Sequence, residues 1–155
     1  MENRKALHDC SLLLVFLAVL NLFSFLSTVV GSIIDGTIDK ALATADSDIL
    51  VAVKVVLIII AALMAVIAFS DAFIGFKGLK ISREPKADKG YIIAAKVFLV
   101  INVLATVFAI VALTNGSTPI IDGILNLACV VTDVFAYILF IKAATKVRKE
   151  VIEKA

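Results

Sequence analysis

The stretch Tyr91–Leu113, YIIAAKVFLVINVLATVFAIVAL, decides the fold class. One charge, Lys96, interrupts it. A helix needs about 20 residues to cross a hydrocarbon core roughly 30 Å thick, and this stretch is long enough. Three more of the same kind accompany it, at about Cys10–Gly31, Ile49–Phe76 and Pro119–Ile141. The expected fold is therefore all-α: a polytopic membrane protein, one domain formed by a bundle of four transmembrane helices, with a tail over 142–155. A chain of 155 residues that is 62% hydrophobic cannot hide its apolar surface in one core and stay soluble.

Charge placement sets the expected orientation. Arg4 and Lys5 precede the first span. Lys77, Lys80, Arg83, Lys86 and Lys89 cluster between the second and third. Lys142, Lys146, Arg148, Lys149 and Lys154 follow the fourth. The other two loops contain Lys40 alone among cations, and Asp35, Asp39, Asp46 and Asp48 make the first of them acidic. The positive-inside rule then puts both termini and the middle loop in the cytoplasm, in the plasma membrane. The first span is read as a retained helix, since its apolar run exceeds the roughly 7–15 residues of a signal peptide and no A-x-A site follows. The chain starts Met-Glu and carries no lipidation signature. Cys10 and Cys129 fall at different depths, too far apart for a disulfide, which needs Cα atoms within about 7 Å; both are read as free thiols.

Helix punctuation agrees with these spans. Asp46-Ser47-Asp48 offers N-caps for the second and Asp88 for the third. Thr118-Pro119 suits the start of the fourth, and Pro85 should stop the second. Asn115-Gly116-Ser117 is a tight turn that makes the third and fourth spans antiparallel neighbours. Residues 34–45 fit either an interfacial amphipathic helix, with Ile34, Ile38 and Leu42 on one face, or an irregular polar loop. The tail keeps helical spacing, with Val147 and Val151 on one face and Lys149–Glu153 as an i,i+4 pair. It is either a solvated extension or a contact for a partner or for anionic lipid headgroups. A weak internal repeat matches Val15-Phe16-Leu17 with Val97-Phe98-Leu99, and Ser70-Asp71-Ala72-Phe73 with Thr132-Asp133-Val134-Phe135. Two parallel helical hairpins would result.

Ionisable residues inside a span are expensive and mark candidate sites. Lys54 and Lys96 lie about 8 Å inside their nearer boundaries and can snorkel. Asp122 sits in the first turn of its span, where a carboxylate suits the helix dipole, at a depth that allows pairing with Lys54. Asp71 is interfacial or buried depending on where its span begins. Asp133 lies about 13 Å from the inner boundary and cannot snorkel. Asn21 and Asn102, about 16 Å deep, fall in nearly the same layer. Asp122, Asn126, Cys129, Asp133 and Tyr137 share one face of the fourth span. The layer Asp133, Asn102, Asn21 and Asn126 is thus the candidate site, with Asp71, Lys96, Lys54 and Asp122 as possible charge partners. It fits interhelical hydrogen bonds worth on the order of 1 kcal/mol each. It equally fits a polar route or cation site with Asp133 as acceptor. Ala61, Ala65, Ala68, Ala72 and Gly75 form a small-residue ridge suited to internal packing.

No metal-ligand spacing, phosphate loop or nucleophile motif occurs. The lone histidine, His8, sits beside Asp9 and Cys10, which do not converge on a helix. Neither a cofactor nor a catalytic residue is expected, and the basic loop lacks the aromatics of a nucleic-acid site. The expected function is a non-enzymatic membrane component that associates with another membrane protein, as accessory subunit, scaffold or immunity-type protein. The alternative is a small oligomeric channel or transporter, cation or proton linked, that uses the layer around Asp133.

Overall fold

The computed structural model describes residues 2–34, 47–115 and 120–153. Within them every element is a helix: α1 (Glu2–Ile34), α2 (Ser47–Arg83), α3 (Gly90–Thr114) and α4 (Ile120–Glu153). Three described stretches, Glu2–Phe23, Gly90–Val111 and Gly123–Glu153, are long and apolar enough to cross a membrane. The loop at 35–46, and with it most of the 34–45 segment and Asp46, lies outside the described residues. So do Gly116, Ser117, Thr118 and Pro119.

Helices α1, α2 and α4 run well past their apolar stretches because their charged ends still carry core-facing side chains. Leu7, Ile81 and Val147 are buried there. The tail is therefore a continuation of α4, and Lys149 and Glu153 pair at 3.7 Å on its surface. Pro85 disfavours helical backbone at the residue before it. α2 duly ends at Arg83, with the Glu84 amide still donating to the Lys80 carbonyl at 2.9 Å.

The α2–α3 turn is pinned from three sides. Asp88 does not occupy the N-cap itself; that position is Lys89, whose side chain makes no capping bond. The Asp88 carboxylate instead accepts from the Gly90 amide at 2.8 Å and pairs with Lys77 of α2 at 3.4 Å. Arg148 of α4 donates to the Ala87 carbonyl at 3.3 Å.

Contacts are most extensive between α1 and α2, then α3 and α4, then α1 and α4, and sparse between α2 and α3. The core gathers at the basic end, where α1 and α3 start and α2 and α4 finish. Leu7, Ser11, Leu14 and Ala18 of α1 recur at alternating spacings of four and three and are all buried, the pattern that keeps one seam against a neighbouring helix. Tyr91, Ile92 and Ala95 of α3 meet Ala136, Tyr137, Phe140, Ala143, Ala144 and Val147 of α4 in the same cluster. The Tyr91 and Phe140 rings meet edge to face at 6.0 Å.

Two glycines let α1 approach α2. A Cβ on Gly75 would stand 2.6 Å from Val15 Cγ2 and 3.0 Å from the Ser11 carbonyl oxygen. A Cβ on Gly78 would run into the Ser11 hydroxyl and the Phe140 ring. The small-residue ridge is thus internal: Ala68 and Gly75 are buried, and Ala65 and Ala72 are half-buried. The Ala61 side chain is outside the described residues.

Gly75→Ala should lower the thermal unfolding midpoint in detergent, by about 1–3 kcal/mol of overpacking, even though alanine is the better helix former. An unchanged or raised midpoint would show that the helices are not held at this separation. The turn should respond to acid. The Gly90 amide, then Lys77, holds the Asp88 carboxyl below its ordinary range. A lowered folded-state value means that its contribution is present above the usual aspartate range and lost as pH falls through the lowered value. Hydrogen exchange at Gly90 should accelerate there, and in Asp88→Ala at every pH.

Candidate functional site: a buried polar layer

Three helices supply the polar groups that converge. Asn21 of α1 donates from its side-chain amide to Asp133 Oδ2 of α4 at 2.8 Å. One turn along α4, the Tyr137 hydroxyl donates to Asp71 Oδ1 of α2. The Tyr137 ring is buried and stacks on Phe98 of α3, with centroids 6.5 Å apart and planes 13° from parallel. Asp71 and Asp133 are each half-buried and close enough to repel one another when ionised. Among the described residues neither forms an ion pair with a cation; both rely on neutral donors.

The arrangement keeps part of the expected layer and rearranges the rest. Asn21 and Asp133 come together, and Asp71 joins as an inner residue. Asn102 is half-buried, but its amide donates to the Phe98 carbonyl of its own helix at 3.0 Å. Thr106 likewise bonds back to the Asn102 carbonyl. The sparse α2–α3 contact explains this: α3 does not approach Asp71 closely enough to share it. Asn126 is exposed and stands apart from the pair, and Cys129 is exposed with it. From Asn126 to Tyr137 is 11 residues, three turns and only about 20° of rotation, so Asn126 shares the Tyr137 face and is exposed although it lies on that face. Lys96 is exposed. The side chains of Lys54, Asp122, Ser24 and Thr28 lie outside the described residues.

The buried positions of two segments of α2 and α4 correspond. Ser70 and Thr132 both donate to the carbonyl four residues back, at Val66 and Ala128. Asp71 and Asp133 both face inward, and Phe73 and Phe135 both face outward. The next buried positions also correspond: Ile74 with Ala136, Gly75 with Tyr137, Gly78 with Phe140, Ile81 with Ala143, and Ser82 with Ala144. For α1 and α3 the expected match is one residue out. Phe16 is 59% exposed, whereas Phe98 turns in to stack on Tyr137. Burial instead aligns Ser11 with Ile92, Leu14 with Ala95, Leu17 with Phe98, and Asn21 with Asn102.

Sequence reasoning put Tyr137 on the polar face without giving it a role, and missed Tyr91. The Tyr91 hydroxyl is buried with no hydrogen-bond partner among the described residues; nothing in an apolar stretch distinguishes an inward tyrosine from an interfacial one. Among the described residues no group of histidine, cysteine or acidic side chains could hold a metal ion, and Cys10 and Cys129 are free thiols. Comparison with family models, curated proteins and solved structures found no match.

The Asn21–Asp133 bond can be weighed by a double-mutant cycle. Asn21→Leu should cost about 1 kcal/mol in detergent unfolding. Asp133→Asn should cost less, because an amide still accepts from Asn21. A coupling energy near zero between Asn21→Leu and Asp133→Leu would remove the bond from any account of stability.

Proposed function

We propose that this chain is a four-span integral membrane protein of the plasma membrane, with both termini and the α2–α3 turn in the cytoplasm. It acts without catalysis, by association with another membrane protein. The orientation is supported by the basic residues gathered at the core-bearing end and the positive-inside rule. The observation that carries the functional reading is the contrast between inside and outside. Within the layer, Asn21 is matched with Asp133 and Tyr137 with Asp71. Outside, large apolar side chains far from the core end stand free, with Phe108 and Ile121 each 73% exposed. Such surface serves contact with lipid or with another protein's spans.

A second reading keeps its own support. Asp71 and Asp133 accept from neutral donors, and among the described residues neither pairs with a cation. Carboxyl groups so placed are candidates for binding a proton or small cation in a carrier or channel, which would be a homo-oligomer because a bundle of four helices encloses little space.

Extraction in mild detergent followed by native mass spectrometry separates the two. A complex with a second protein, tolerant of Asp133→Asn, is the expected result. A homo-oligomer whose reconstituted cation or proton flux is abolished by Asp133→Asn would replace the first reading with the second.

A further inference from the structure

Outside the polar layer, α2 carries a shallow open groove at its basic end. It has a volume of about 450 Å³ and is lined by Phe76, Leu79, Lys80, Arg83 and Glu84. These residues occupy one face of the helix at its basic end. The face continues down the helix as Val66, Phe69, Phe73 and Phe76, spaced by three and four and each between 59% and 68% exposed. At about 1.5 Å per residue this apolar stripe covers about 15 Å, half of a hydrocarbon core. A stripe one leaflet deep therefore ends in a cationic groove.

The charges in the groove are available. Lys77, the neighbouring cation, is held by Asp88 at 3.4 Å and lies over the Phe73 ring at 5.9 Å. Lys80 and Arg83 are exposed and form no ion pair among the described residues. Glu84 cancels one of their charges and leaves a net single positive charge, which matches a phosphodiester headgroup. Arginine can bind phosphate oxygens in a bidentate fork, and lysine can add a point charge.

We propose that this face of α2 binds one anionic phospholipid of the cytoplasmic leaflet. Its phosphodiester sits between Lys80 and Arg83, and an acyl chain lies along Phe76, Phe73, Phe69 and Val66. The proposal rests on the membrane orientation given above and names the headgroup chemistry of one site within it. The structurally corresponding α4 face offers a control, since Lys142 and Lys146 are also exposed there.

The test is native mass spectrometry of the purified full chain titrated with phosphatidylglycerol or phosphatidylcholine. One retained phosphatidylglycerol per chain is expected. Lys80→Ala with Arg83→Ala should weaken it at least tenfold, as two cations near a headgroup imply. Lys142→Ala with Lys146→Ala should leave it within twofold. Phe73→Ala with Phe76→Ala should weaken the lipid while leaving any retention of soluble glycerophosphoglycerol unchanged. Equal loss from both lysine-containing pairs would mean diffuse surface charge and overturn the site. Equal competition by soluble glycerophosphoglycerol would mean a phosphate site without a lipid, and displacement by a co-purifying protein would mean a protein surface. Either outcome would overturn the proposal. Alkaline extraction of membranes tests the underlying orientation reading separately: release into the soluble fraction defeats the membrane reading itself, whereas retention with no lipid bound defeats this proposal alone.

Discussion

The close approach of α1 to α2 is the constraint on which the rest of the structure depends. Gly75 and Gly78 have no side chains, so the Ser11 and Val15 turn of α1 lies almost on the α2 backbone. The missing side chain at Gly78 also leaves the room that the Phe140 ring occupies. Phe140 in turn carries the edge of Tyr91, and so locates the start of α3. The dispersion attractions that result are individually small but numerous. Ser11 fits because its hydroxyl bonds within its own helix, to the Leu7 carbonyl at 2.6 Å, and asks nothing of α2.

The polar layer follows from the same geometry one or two turns further along. Once α1 and α4 are fixed at Leu14 and Ala136, Asn21 faces Asp133 across the seam. Asp71 of α2 accepts from the Tyr137 hydroxyl of α4. Asn102 has the matching position on α3, but the sparse α2–α3 seam leaves it bonded to its own backbone. The asymmetry of the layer is therefore a consequence of unequal helix separation, since residues of the required type stand on both sides.

The sequence made the helices legible and their faces mostly illegible. Long apolar runs and the break at Pro85 were sufficient to locate the elements, and the spacing of Val147 and Val151 carried α4 into its charged tail. Which side of each helix faces inward was hidden, because leucine, valine and phenylalanine serve an inner seam and an outer apolar surface equally well. Phe16 and Phe98 look alike in sequence and point in opposite directions. Polar residues escaped this ambiguity in proportion to their cost. Asp133 and Asn21, costly to leave alone in an apolar run, bond to one another. Asn102 bonds to the backbone of its own helix and Asn126 is exposed, because a backbone carbonyl or a helix surface can satisfy an amide. The glycines that set the spacing gave no chemical signal beyond their size.

The pairing of Gly78 with Phe140 also restricts which assemblies the chain can enter. These residues stand at corresponding positions of α2 and α4, so the two hairpins present complementary relief: a hollow on one, a ridge on the other. Two copies of the hollow would leave a void, and two copies of the ridge would collide, each at a cost that close-packed interiors do not absorb. Neither hairpin is therefore a good partner for its own kind. Fusion in one chain guarantees equal stoichiometry of the unlike halves, and exchange of hairpins between chains brings no advantage over pairing within one.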